Sequence, residues 1–517
     1  MRRFLTCAVL GALILAGLYR LIPLALGMPA LAERFLTEDG YLMLTVARNM
    51  GIGLGMSVSD GTIATNGVQP LIACLFAVPY WATGGDKVTS LYAVHGILAA
   101  AALGALFATR SFAARALAWR EVSGVWPWAV AALWFAGPLL LYHSMNGLET
   151  GLATLCILLA LLAFHRVLAA GEAAGSGLKL GLGALCGLAF LARNDAAFLA
   201  IGVFAVWWAV EISRAPRVLG DFLRRSLALV PPGLACLAVA APWMINNQLR
   251  FGSIVPISGT AQSVAAETGQ NLGLLPAKLF EHTYPMLPLP GGIETVLPVQ
   301  ILASLAVAAP LLWLLWRTFR QAPMPVRAMV AAYLIHLIAL AAYYGINFGA
   351  PHFLSRYLAP AAPLLILGLV SALLDLGRVR VAAGVVAASL VLSLALLGRL
   401  LIPGVHAQGH EQVAAWTAEN VPPETWVGAV QTGTLGYWHD RTFNLDGKVN
   451  PAALAARRTD GHVLDYVVES SIEYVIDWYG VGGWADRTDT AFPDTFERIV
   501  WDREENLAVM RRKGVAE

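Results

Sequence analysis

The sequence predicts a polytopic α-helical membrane protein of about 11 transmembrane helices, followed by a small C-terminal α/β soluble domain. Three observations carry this. Hydrophobic residues make up 58% of the chain and charged residues 13%, about half the charged share of a soluble protein. The apolar residues recur in blocks long enough to cross the hydrocarbon core as helices. The blocks then stop near residue 403, and charge rises.

Spans are expected near residues 4–26, 88–108, 125–143, 150–169, 179–192, 196–213, 227–246, 298–316, 328–346, 357–376 and 381–402. The opening Met1-Arg2-Arg3 and its apolar run lack a clear small-residue cleavage site, so this run reads as an uncleaved first span. Pro70–Ala82 is apolar but short, and reads as a juxtamembrane or re-entrant helix. With Arg2 and Arg3 in the cytoplasm, the basic clusters Arg110/Arg115/Arg120, Arg166/Lys179, Arg214/Arg217/Arg224/Arg225, Arg317/Arg320/Arg327 and Arg378/Arg380 fall on one side, as the positive-inside rule requires. The other face then collects the loop 27–87 with its juxtamembrane helices, the loop 247–297 and everything after residue 402. Residues 1–402 thus form a transmembrane domain and 403–517 an external α/β domain. In the tail, helices are expected at Glu411–Asn420 and Leu464–Ser471, strands at Trp426–Val430 and Tyr474–Asp477, a βα turn at Gly433–Trp438, and a terminal hairpin from Phe496–Trp501 and Leu507–Arg512.

Several function classes are disfavoured. A net charge of +2 argues for no particular partner, nucleic acid included. No P-loop, dinucleotide fingerprint, zinc spacing or nucleophile elbow is present, and Gly51-Ile52-Gly53-Leu54-Gly55 lacks the strand–turn–helix setting of a nucleotide loop. The five cysteines lie in apolar stretches and imply packing. A transporter or flippase would carry polar residues near the bilayer midplane, whereas here they gather at one face.

Five motifs on that face carry chemistry. Glu38-Asp39 follows the first span, where two adjacent carboxylates are costly to place. They read as a helix start after Thr37, as a general base for sugar transfer, or as both. Thr65-Asn66-Gly67 with Gln69 and Pro70 reads first as a turn, with Asn66 and Gln69 as alternative donors to sugar hydroxyls. Asn146-Gly147-Leu148-Glu149 closes a hairpin, and Glu149 either caps the next helix or faces the same cavity as Asp39. Arg193-Asn194-Asp195 is either a local ion pair or a phosphate-binding arginine with its neighbour. His352 and Arg356, four apart on one helical face, either anchor to lipid headgroups or neutralise a phosphate.

The ordered motifs Glu-Asp-Gly-Tyr, Thr-Asn-Gly-x-x-Pro-Leu, Asn-Gly-Leu-Glu-Thr, Leu-Ala-Arg-Asn-Asp, Phe-Gly-Ser-x-x-Pro-x-Ser-Gly and Ser-Arg-Tyr-Leu-x-Pro resemble the GT-C superfamily of bacterial membrane glycosyltransferases. The resemblance is to the branch related to arabinofuranosyltransferases and to the aminoarabinose and mannosyl transferases. The tail segment Gly436-Tyr437-Trp438 through Asn444-Leu445-Asp446-Gly447-Lys448-Val449-Asn450 is similar to that branch's soluble domain. The resemblance implies an inverting glycosyltransferase of the bacterial cytoplasmic membrane. It would move a sugar from a polyprenyl-phosphate donor to a cell-envelope glycan or glycolipid on the outer face. Asp39 would be the base, with Glu38 as neighbour or alternative. Arg193, Arg356 and His352 would lie near the donor phosphate, and Asn66, Gln69, Asn146, Glu149 and Asp195 would shape the sugar and acceptor pocket. Some relatives bind a divalent metal; no decisive ligand set is legible here. A lipid-linked glycan polymerase or ligase is the alternative enzyme.

Overall fold

The computed structural model describes residues 2–214, 219–264, 266–399 and 410–514; Arg217 and the expected boundary at 402/403 lie outside them. Among the described residues, nine helices are long and apolar enough to cross a membrane: Arg3–Leu26, Lys87–Ala116, Thr150–Ala173, Asn194–Ser213, Leu219–Phe251, Leu297–Gln321, Met324–Ile346, Pro351–Asp375 and Val379–Arg399. The expected span at 125–143 is a broken pair, Val125–Ala136 and Pro138–Met145, bent by 65°. Pro138 causes the break, because it has no N–H to continue the helical ladder. The expected span at 179–192 is the 17-residue helix Ser176–Ala192, and Pro70–Ala82 is a 13-residue helix. Among the described residues each expected run is therefore helical, with two of them short or broken.

The segment after the first span is compactly folded. Helices Met28–Arg34 and Glu38–Gly51 lead to a two-stranded hairpin, Ser57–Val58 with Ile63–Ala64, and then to Pro70–Ala82. The Glu38–Gly51 helix starts where local chemistry says it should. The Thr37 side chain accepts a hydrogen bond from Gly40 N at 3.1 Å, satisfying a free amide of the first turn. Gly40 also lets the helix rest directly on the hairpin at Asn146, since a Cβ there would overlap the Asn146 carbonyl. That same carbonyl accepts from Thr37 N at 3.3 Å and Thr37 Oγ1 at 3.1 Å. This contact brings the Glu38-Asp39 motif beside Glu149.

The described residues of the 247–297 stretch carry short helices. The preceding helix continues to Phe251, and short helices follow at Ile257–Ser263 and Leu275–Thr283. Asn66 ties this stretch to the first loop, its side-chain oxygen accepting from Ile257 N at 3.0 Å.

The tail carries a five-stranded sheet in the order Thr442–Asn444, Val427–Ala429, Tyr474–Asp477, Leu507–Arg512, Phe496–Asp502. The first three strands are parallel, and the last two complete an antiparallel hairpin. The helices Glu411–Asn420, Gly433–Trp438, Pro451–Thr459 and Leu464–Glu469 pack around it. The tail sits directly on the first loop. Tyr437 and Tyr80 share a hydrogen bond at 2.9 Å, and Asp440 Oδ1 binds Arg48 Nη1 at 3.1 Å and Lys87 Nζ at 3.0 Å. At Gly433 the two parts touch backbone to backbone, so that a Cβ would overlap the carbonyl of Glu38.

Gly433→Ala should therefore push the tail off the first loop without unfolding its sheet. Hydrogen–deuterium exchange should rise in the Glu38–Gly51 helix and in residues 433–450, while strands Tyr474–Asp477 and Leu507–Arg512 stay protected.

Candidate functional site

The site is a cavity of about 440 Å³ at one end of the helix bundle, beneath the tail. Its polar end holds Asp39, Gln69, Glu149, Asn194, Asp195, Arg356 and Lys448, and its other walls include Leu42, Phe190, Phe198, Met244, Ile254 and Phe348. Such a cavity suits an amphipathic ligand.

Asp39 is at the centre of the polar end. Its Oδ2 accepts from Arg356 Nη1 at 2.9 Å and its Oδ1 from Lys448 Nζ at 3.4 Å. Lys448 also reaches Asp446 Oδ2 at 3.2 Å. Burial alone would raise the Asp39 carboxyl, but the Lys448 and Arg356 charges outweigh it and hold it at about 2. The same two carboxylates, outweighing burial, push the Lys448 ammonium upward. All three side chains are at most 17% exposed, so water screens the pairs little.

Glu38 points elsewhere. Its carboxylate accepts from the Gly433 amide, from Thr434 N at 3.0 Å and from Thr434 Oγ1 at 3.0 Å, and it does not line the cavity. Burial pushes it up to about 7 against the pull of these hydrogen bonds, with Asp39 adding a repulsion. Consecutive residues at a helix start diverge by about 100°, so Glu38, expected as the neighbour or alternative of Asp39, faces the tail while Asp39 faces the cavity.

Arg193 is also placed differently from the expectation. It is 1% exposed and stands behind the cavity wall. Its guanidinium pairs with Asp195, lies 3.9 Å from Glu149 Oε1, and donates to the carbonyls of Arg356 at 3.3 Å and Tyr357 at 3.2 Å. Three of its N–H groups thus go to protein oxygens, two of them on the backbone that carries Arg356. Asp195 accepts a further hydrogen bond from Tyr344 Oη at 2.7 Å. The Tyr344 and Tyr357 rings stack at 4.3 Å, and both Arg193 and Arg356 lie over Tyr357 at 5.1 and 5.0 Å.

The remaining sequence-predicted residues divide in three. Gln69, whose Oε1 accepts from Asn194 N at 3.2 Å, and Glu149 line the cavity. Asn66 is buried in its link to Ile257, and Asn146 contributes its backbone carbonyl to Thr37, so neither reaches the cavity wall. His352 is exposed and lines a second cleft of about 390 Å³ between the bundle and the tail.

Sequence reasoning missed Lys448, Tyr344 and Tyr357. Lys448 is held by a rigid turn. Asn444 Oδ1 accepts from Gly447 N at 3.0 Å, Asp446 Oδ1 accepts from Lys448 N at 2.8 Å, and Gly447 takes a φ of 82°. The Asn-x-Asp-Gly-Lys pattern signals such a turn, but nothing local links it to Asp39.

A metal fits poorly. Among the described residues no three His, Cys, Asp or Glu side chains are grouped to hold one. The cavity carboxylates Asp39, Glu149 and Asp195 are each matched by an arginine or lysine.

The Asp39 ion pairs should make stability pH-dependent. The folded carboxyl sits at about 2 against an ordinary 3.8, so the stabilisation is complete above about pH 4 and is lost as pH falls toward 2. The stability advantage of wild type over Asp39→Asn should shrink by about 2 kcal/mol across that window, as read by unfolding in detergent micelles. An advantage independent of pH would mean the pairs contribute nothing.

Residues 402–512 match the family model described as a domain of unknown function, DUF8728. No curated protein sequence matches the chain. Solved structures are similar over most of its length. ArnT from Cupriavidus metallidurans bound to undecaprenyl phosphate aligns with a TM-score of 0.58 at 15% identity, covering 98% of this chain and 97% of that one. The Archaeoglobus fulgidus oligosaccharyltransferase in complex with Zn and sulfate aligns with a TM-score of 0.56 at 15% identity, covering 92% and 69%. The archaeal oligosaccharyltransferase AglB from Archaeoglobus fulgidus, in complex with an inhibitory peptide and a dolichol-phosphate, aligns at 0.53 and 13% identity, covering 98% and 75%. With a helical membrane bundle, a folded first loop and a tail domain seated on it, the chain has the GT-C fold.

Proposed function

We propose that this protein is an inverting glycosyltransferase that takes its sugar from a polyprenyl-phosphate donor and passes it to a cell-envelope glycan or glycolipid. The observation that carries this reading is the cavity: one carboxylate and two cations at its polar end, apolar walls beyond. A lipid phosphate has the matching chemistry, with an anionic head for Arg356 and Lys448 and a chain for the apolar walls. The bound undecaprenyl phosphate of ArnT and dolichol-phosphate of AglB, in proteins of the same fold, support it.

In this reading the acceptor hydroxyl attacks the anomeric carbon from the side opposite the phosphate. Asp39 takes the hydroxyl proton as the new C–O bond forms. The anomeric C–O bond to phosphate breaks, its electrons leave with the polyprenyl phosphate, and Arg356 stabilises that charge. Configuration at the anomeric carbon inverts. Arg193 and Asp195 are positioning residues for Arg356, while Gln69 and Glu149 face the sugar. The active site opens to the outer face of the bacterial cytoplasmic membrane, with the first residues in the cytoplasm and the tail outside. No step runs through a metal, because the cavity acids are matched by protein cations.

The test is transfer by the purified full chain in liposomes, offered a panel of polyprenyl-phosphate sugars, with release of the lipid phosphate followed. Asp39→Asn should lower turnover by about 10²–10⁴-fold. Glu38→Gln, which keeps the amide contacts to the tail in part, should lose less than about tenfold. A chelator should leave the rate unchanged. Full activity of Asp39→Asn in correctly inserted protein would overturn the assignment of the base.

A further inference from the structure

A carboxylate clamped between an arginine and a lysine is a poor base, because both lone-pair faces are spent on cations. Asp39 is in that state here, with Arg356 on Oδ2 and Lys448 on Oδ1. The two cations come from separate parts of the molecule: Arg356 from a membrane helix backed by Arg193, and Lys448 from the tail turn locked by Asn444 and Asp446. Both side chains line the cavity beside Asp39.

We propose that Lys448, supplied by the domain of unknown function, is a phosphate-binding residue held in reserve on Asp39. Arrival of an anionic phosphate ester draws Lys448 and Arg356 off Asp39 and so frees the base. The step is an exchange of ion pairs with no covalent change: two Asp39 contacts are lost, and two phosphate contacts form. The consequence is order. Asp39 becomes competent once the donor is seated, so an acceptor that enters alone meets a neutralised carboxylate. Asp446, already 3.2 Å from Lys448 Nζ, keeps the lysine charged and aimed during the exchange. The inference deepens the donor reading above and rests on it, but it adds the exchange on Asp39 and an order of events that the reading does not contain.

The experiment is equilibrium binding of undecaprenyl phosphate, and separately inorganic phosphate, to the purified full chain in detergent micelles. If Asp39 competes with the ligand, Asp39→Asn should bind undecaprenyl phosphate roughly tenfold more tightly than wild type, while transferring sugar about 10²–10⁴-fold more slowly. Lys448→Ala should bind it roughly tenfold more weakly, the expected loss of one charge-assisted contact, and Lys448→Arg should stay within about threefold of wild type. The gain from Asp39→Asn should shrink when Lys448→Ala is also present, since the released partner is then missing. An unchanged or weaker affinity of Asp39→Asn, or strict additivity of the two substitutions, would overturn the exchange while leaving the donor reading intact. Wild-type binding of inorganic phosphate as tight as the lipid would overturn the assignment of the pair to a lipid donor. No binding of either phosphate by any variant would overturn both readings together. A stable tail, shown by protected strands Tyr474–Asp477 and Leu507–Arg512 in exchange measurements on Lys448→Ala, separates a lost ligand from a lost fold.

Discussion

The ion pairs of Asp39 are the contact on which the rest of this structure depends. A carboxylate withdrawn from water must be paired or neutralised, and Asp39 is paired twice, once by the bundle and once by the tail. Neither part completes the site alone. The residue before it is committed in the same way, with Glu38 receiving amides and a hydroxyl from the tail at Gly433 and Thr434. Two consecutive acidic residues thus face opposite tasks, one into the cavity and one into the domain that roofs it.

Behind this centre lies a second layer that sets geometry. Arg193 is among the largest fully buried side chains, and its cost is offset by Asp195, Glu149 and two backbone carbonyls. Those carbonyls belong to Arg356 and Tyr357, so the buried charge holds the cavity arginine where it can reach Asp39. A buried guanidinium with satisfied donors is a rigid bracket; the same group with free donors would be a ligand site. The distinction between these roles depends on where the five N–H groups go.

The tail is more than an appendage of the membrane part. Its contacts run from Tyr437 and Asp440 on the first loop to Lys448 over the cavity, and the close packing at Gly433 leaves no room for a side chain. Such backbone contact aligns a turn to within the reach of one lysine. Positional accuracy of that kind is what a charged site requires.

Much was determined by the sequence alone, because the signals are local. Apolar runs long enough to cross a bilayer, the Thr37 cap before Glu38, and the short apolar runs in Tyr474–Asp477 and Leu507–Arg512 are each local signals, and helices and strands formed there. The clustering of Asp39, Glu149, Arg193, Asp195 and Arg356 at one end also followed from span counting and charge. What only the tertiary structure decided is the division of labour among them. Lys448 stands 409 residues from Asp39, Asn66 turns to Ile257, Glu38 turns to the tail, and Arg193 turns inward. Local sequence sets which charges are present and on which face. Which charge pairs with which is set by packing between distant segments, because a buried ion takes whatever partner the fold brings within hydrogen-bond reach.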